Sequence, residues 1–249
     1  GAAVFDIDRG DTGRVKASMS VKGKPENPQV NLRADYGGGS IAGRSVSHVG
    51  LETKLRDRVV TLENLSASTD FGLLGLSGQA DFRQVFPKGF LSPPGDWEDA
   101  AFKGTLRTES FDLSAIPVKG NSISGRMDAL LNITGKSLSI ESLMAEFGAV
   151  MALEDFKLGG MQQPIGIRSR VDGRVQAGTL WLDNMEAETK DAYISAGGSM
   201  DVKNEIVDAR FNMETHEVAS LLSIFGLSQI EGAVAVEGHL QGPSTNPMI

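Results

Sequence analysis

Three histidines, His48, His216 and His239, are the first candidates for metal or proton-transfer chemistry in this 249-residue chain. They lie far apart, and none has a second ligand at metal-binding spacing. His216 falls at the start of a predicted helix and reads as an exposed side chain. The glycine trio Gly37-Gly38-Gly39 lacks the following helix and lysine that a phosphate-cradling loop requires, and reads as a bulge or bend in a sheet. No Gly-x-Ser-x-Gly elbow marks a nucleophilic serine. With 32 Asp and Glu residues, a carboxylate pair for glycoside hydrolysis exists by count. Most of them fall in turns or on the wet side of strands, however, and the only Trp and Tyr platforms are Trp97, Trp181, Tyr36 and Tyr193. The expectation is a protein without catalytic residues, metal or cofactor.

The elements that would position such groups are organised by a repeat. Leu62–Phe82 returns as Leu182–Val202 at a constant offset of 120 residues. Leu62/Leu182, Asn64/Asn184, Ala67/Ala187, Thr69/Thr189, Gly78/Gly198 and Asp81/Asp201 are identical. Glu63/Asp183, Leu65/Met185 and Leu74/Ile194 are like-for-like. Asn64, Asn184, Asp81 and Asp201 are expected to form turns at strand ends. A shorter third copy reads from Ile140 to Phe156. A second phrase, Gly23 to Val30, matches Gly242 to Ile249. The region from Asp112 to Gly135 loosely parallels Glu217 to Gly242. Repeats of this length mark stacked units that cannot bury their apolar face alone.

Between these phrases the pattern has period two. Val15, Ala17, Met19 and Val21 alternate with Arg14, Lys16, Ser18 and Ser20, as in a strand with one apolar and one wet face. Strand signals recur at about ten-residue spacing, which predicts roughly seventeen strands in a meander. Gly37 to Gly39 is expected to end one strand and Ile41 to Arg44 to begin another. Residues 82–101 depart from the pattern. Pro87, Pro93, Pro94, Gly89 and Gly95 exclude a central strand, while Phe86, Phe90, Leu91 and Trp97 are too apolar for an idle linker. They predict either a loop covering one end or edge of the sheet, or a lid or docking segment. Asp112 to Ile116 reads as a single helical turn, with Asp112 in the N-cap position. The one clear amphipathic helix is expected at 216–226, with Val218, Leu221, Leu222 and Phe225 on one face.

Composition excludes several classes. A net charge of −8, a pI near 5.0 and no Lys/Arg-rich run disfavour nucleic acid and strongly anionic membrane surfaces, which need clustered cations. No stretch approaches the ~18 apolar residues of a membrane-spanning helix. There is no cysteine, which leaves the compartment open. The chain reads as all-β, a single fragment (1–249) of a longer repeat array whose neighbouring repeats would be its partners. Nearly every strand offers an aliphatic face that must be buried. Either a closed sandwich or barrel buries it as ordinary core, or an open curved sheet leaves an apolar trough, a binding surface suited to acyl chains.

The strand-plus-Gly-x4-Pro phrase, the helix–Gly–strand–Gly run at 216–242 and the segment Asp81 to Pro94 together resemble the AsmA-like superfamily, most closely the C-terminal part of its TamB branch. The resemblance covers nearly the whole chain. It implies an elongated, curved, repeating β-groove, U-shaped in section and apolar inside, with one or two short accessory helices. It implies a location in the periplasm of a Gram-negative bacterium, with the full-length protein anchored in the inner membrane by a segment not present here. It further implies transfer of phospholipids between the membranes, a role in outer-membrane protein biogenesis, and an outer-membrane TamA-like partner bound through regions not present here. No catalytic motif is carried over. The groove residues expected on this reading are Met19, Leu32, Leu51, Leu62, Leu76, Leu131, Leu153, Ile167, Leu182, Ile194, Phe211 and Val236. The rival expectation is a chaperone-like scaffold that receives unfolded β-barrel strands by augmentation.

Overall fold

The structure is a computed structural model and describes residues 2–8, 13–41, 44–116, 122–139, 141–223 and 232–243. It is all-β. The strands are β1 (Ala2–Asp8), β2 (Arg14–Lys24), β3 (Asn27–Ile41), β4 (Arg44–Arg56), β5 (Val59–Thr69), β6 (Gly72–Asp81), β7 (Ala101–Asp112), β8 (Ile123–Lys136), β9 (Met144–Leu158), β10 (Ile165–Gln176), β11 (Thr179–Glu188), β12 (Ala192–Asp201), β13 (Ile206–Thr215) and β14 (Val234–Pro243). Each is hydrogen-bonded to its neighbour in sequence, so the sheet order is the chain order, and the strands pair antiparallel. This is the predicted meander.

Fourteen strands are described where roughly seventeen were expected. Several short segments merge into longer strands. The glycine trio does not end a strand: β3 runs through it to Ile41, with Gly37 opposite His48 and Gly39 opposite Val46. Pairing with β4 carries the strand across residues that contribute no side chain, the described β2 pairing reaching Gly37, and the irregularity is confined to Gly38 at φ 66°. The hairpin after β2 is tight. Asn27 and Pro28 already pair with Lys24 and Gly23. The turn between β4 and β5 is made by Asp57 and Arg58, both at positive φ, the twist that two-residue hairpins need.

Contacts group the chain into two compact units, Gly1–Glu109 with Asn132–Leu143, and Ser110–Leu131 with Met144–Ile249. In the first unit the segment after β6 packs along strand ends. Phe86 lies against Phe90 and Trp97 with ring centroids 5.0 and 5.7 Å apart. Val85 is fully buried. Arg58 donates from Nη1 to the carbonyls of Phe86 and Pro87, both at 2.8 Å, and Phe90 N–H donates to Glu26 O at 2.9 Å. The segment is therefore tied to two hairpin turns, as the covering reading predicts. One 3-10 turn, Trp97–Asp99, lies within it.

In the second unit Asp112 caps the 3-10 turn Leu113–Ala115 by accepting from Ser114 N–H at 2.9 Å. The helix α1 is described over Val218–Ser223. Val218 is buried, and its N–H donates to Gly232 O at 2.8 Å. Phe225 and Gly226 lie outside the described residues, as does the second Gly-x4-Pro phrase beyond Pro243. The third repeat copy is not a third structural unit. Its front, Glu141–Ser142, is a turn before β9, and Ile140 lies outside the described residues.

The repeat at offset 120 encodes a local device. In β5 the register slips so that Glu63 and Asn64 together oppose Ser77, between Leu62↔Gly78 and Leu65↔Leu76. In β11 the same slip falls at Asp183 and Asn184, between Leu182↔Gly198 and Met185↔Ala196. These are β-bulges, which bend a strand and tighten its twist. Asn64 and Asn184 thus sit mid-strand, not at the expected strand ends, because a bulge needs the same compact polar side chains as a turn. Asp81 and Asp201 do end their strands and accept from the backbone N–H of Arg83 and Lys203, each at 3.0 Å. Thr69 and Thr189 hold the intervening turns through N–H bonds from Phe71 and Asp191, each at 3.3 Å.

Candidate functional site

Residues directly opposite each other in antiparallel strands share a face, so the registers trace each face across its unit. In the first unit Met19 opposes Leu32, Ala34 opposes Leu51, and Thr53 opposes Leu62. Leu65 opposes Leu76, and Leu76 opposes Leu106. The five candidates Met19, Leu32, Leu51, Leu62 and Leu76 therefore lie on one face. In the second unit Leu153 opposes Ile167, Gly173 opposes Leu182, and Ala187 opposes Ile194. Ala196 opposes Phe211 and Met213 opposes Val236. Leu153, Ile167, Leu182, Ile194, Phe211 and Val236 likewise share one face. Leu131 keeps the alternation of Met127, Ala129 and Ile133 in β8.

None of the twelve is buried. Met19 stays 40% exposed and Leu76 and Val236 37%, while the other nine are half-buried. The buried aliphatic residues, including Val85, Leu113, Met161 and Val218, sit mainly in connections and strand ends instead. An ordinary closed core would remove the central strand residues from water first.

Glycines on these faces mark where the strands close toward the apolar side. A Cβ on Gly78, pointing to that face, would lie 2.7 Å from Lys103 O. On Gly198 it would lie 2.3 Å from Asp208 O and 2.5 Å from Ala209 Cα, and on Gly173 2.5 Å from Trp181 O. Neighbouring backbone occupies the space a side chain would need, so only glycine fits. Gly78 and Gly198 each stand opposite the residue preceding a bulge. Two rings fill the gaps that glycine leaves. Phe147 covers Gly173 and Phe211 covers Gly238, each ring within 2.6 Å of the missing Cβ position, an aromatic rescue. Parity alone could have found Leu106 and Phe147 among the face residues, whereas Leu65, of opposite parity to Leu62, reaches this face only through the bulge.

The opposite face is polar and internally paired. Arg33 meets Glu52 at 2.8 Å and Lys54 meets Glu63 at 2.6 Å in the first unit. Arg174 meets Asp183 at 2.6 Å and His239 meets Asp208 at 2.8 Å in the second. Lys54–Glu63 and Arg174–Asp183 occupy the same repeat positions, so the ion pair recurs with the bulge. Such exposed pairs add little stability; their effect is to assign water to this face. The hydrogen bond from Arg33 holds Glu52 below the usual carboxylate range, and that from Arg83 does the same for Asp81. Among the described residues no group of three or more His, Asp or Glu is arranged to hold a metal ion. His48 stands 4.0 Å from Asp35 and His216 is exposed.

The arrangement can take up apolar matter without forming a bond to it. No family model matches the chain, and neither a curated protein nor a solved structure matches it.

Proposed function

We propose that the chain is a section of a periplasmic lipid-transfer conduit, in which phospholipid acyl chains lie on the apolar sheet faces while headgroups stay in water. The observation that carries this reading is the ladder-continuous aliphatic face of each unit, half-exposed and bent inward at glycines. A methyl-rich face with no directional donors binds acyl chains by burial, at about 25 cal/mol per Å² of apolar surface covered. It discriminates little between headgroups. No helix among the described residues is long and apolar enough to cross a membrane. The resemblance to the AsmA-like superfamily agrees with this reading and supplies its setting: passage of phospholipid between inner and outer membranes, with neighbouring repeats and an outer-membrane TamA-like protein as partners.

Native mass spectrometry of the purified protein with extracted or added phospholipid tests the proposal. Bound phospholipid, lost when Leu62 or Leu182 is changed to Asp in a folded protein, supports it. A lipid-free protein that takes up none overturns it. A second reading, a scaffold that receives unfolded β-barrel strands by augmentation, would draw on the edge of β14, the last strand in the order among the described residues. Proline substitution along β14 would impair such a scaffold and leave lipid uptake intact.

A further inference from the structure

The polar face of the second unit carries a feature that lipid binding leaves unused. A depression of about 400 Å³ opens on β11 to β14; its polar lining is Asp183, Asn184, Ser195, Arg210, Asn212 and Glu237, and Ala196, Phe211 and Gly238 also border it. Gly197 forms its floor, and a Cβ there would come no closer than 3.4 Å to other atoms. The two aromatic residues of this face flank it along β12. Trp181 stands opposite Ser199, one step beyond Gly197, and Tyr193 stands one step before Ser195. Both are exposed, at 39% and 40%.

The bed is pre-organised. Arg174 lies 5.4 Å from the Trp181 ring centre and is itself held by Asp183 at 2.6 Å, so the indole is backed on one side. Asn184 and Asn212 each donate one amide hydrogen to a glutamate, Glu186 at 3.3 Å and Glu214 at 3.1 Å. Their amide planes are fixed, and the second hydrogen and the carbonyl of each stay available. The charge pattern selects among ligands. Arg210 is matched by Glu237 in the same depression, and Glu188 and Glu214 stand directly opposite Tyr193 on its two neighbours. A phosphate or sulfate chain would meet these carboxylates. A neutral ligand rich in hydroxyls would meet fixed donors and acceptors with an aromatic plane at each end.

We propose that this face binds a neutral oligosaccharide laid along β12, with one sugar stacked on Trp181 and another against Tyr193. From Tyr193 to Ser199 the strand spans roughly 20 Å at about 3.3 Å per residue, longer than a disaccharide.

The test uses cello- and chito-oligosaccharides of two to six sugars. Binding is followed by calorimetry and by the fluorescence of Trp181 in a Trp97→Phe background, where it is the single tryptophan. Affinity is expected to rise from disaccharide to tetrasaccharide and then level off. It should fall about tenfold or more in Trp181→Ala and in Tyr193→Ala, the scale of one aromatic stacking contact. Gly197→Val fills the floor without touching either aromatic residue and should also abolish binding in a protein with unchanged circular dichroism. Three results would overturn the proposal: no binding of either neutral series at millimolar concentration, binding that survives both Trp181→Ala and Gly197→Val, or tighter binding of sulfated than of neutral sugars.

Discussion

Gly198 and Ala209 stand opposite each other on β12 and β13 so closely that a methyl group on Gly198 would lie 2.5 Å from the Ala209 Cα. Gly198 is also the residue opposite Leu182, where the β11 bulge begins. Bulge and glycine act together, the first bending one strand and the second letting the next close behind it. The repeated phrase in the sequence is therefore the code for a bend.

Substitution at these glycines should be costly. Gly198→Ala and Gly78→Ala place a Cβ against backbone and are expected to lower stability by about 1–3 kcal/mol or more, the range for overpacking. Gly37→Ala meets nothing within 4 Å and should be neutral or slightly stabilising. Thermal unfolding midpoints of the three variants check this order.

The covering segment should open when its tether is cut. Arg58→Ala removes two charge-assisted hydrogen bonds to Phe86 and Pro87 carbonyls, each worth about 1.5–3 kcal/mol. Limited proteolysis within residues 83–100 should then accelerate about tenfold or more, with the strands still protected.

Acid should weaken the fold through a defined set of carboxylates. Glu52 is held low by Arg33 and Asp81 by Arg83, while Asp201 is held low first by the Asn204 N–H and then by its side-chain amide. A carboxyl whose folded pKa lies below its unfolded value contributes stability above the unfolded value, about 4. That contribution is lost as pH falls through the lower folded value. Thermal midpoints should hold steady from pH ~7 to ~5 and decline below about 4, and Asp201→Asn should flatten the decline.

Much of this was legible in the sequence, because period-two alternation survives any error in strand length. Met19, Leu32, Leu51, Leu62 and Leu76 were placed by parity alone, and the registers put all five on one face. Strand boundaries were less legible. Gly37 to Gly39 looked like a break because glycine weakens an isolated strand, yet pairing with β4 carries β3 through. Asn64 and Asn184 looked like turn residues because bulges and turns draw on the same side chains. The polar depression gave no local signal: Trp181 and Tyr193 are twelve residues apart, and only the hairpin register sets them on either side of Gly197.

Lipid capture by the apolar face is the central claim, and one paired comparison tests it most directly. The wild-type protein and Leu182→Asp would be incubated with phosphatidylethanolamine–phosphatidylglycerol vesicles, recovered, and measured by native mass spectrometry, with circular dichroism confirming the fold of each. Protein carrying phospholipid is expected for the wild type and bare protein for Leu182→Asp. Equal lipid loading in both, or none in the folded wild type, would contradict the claim.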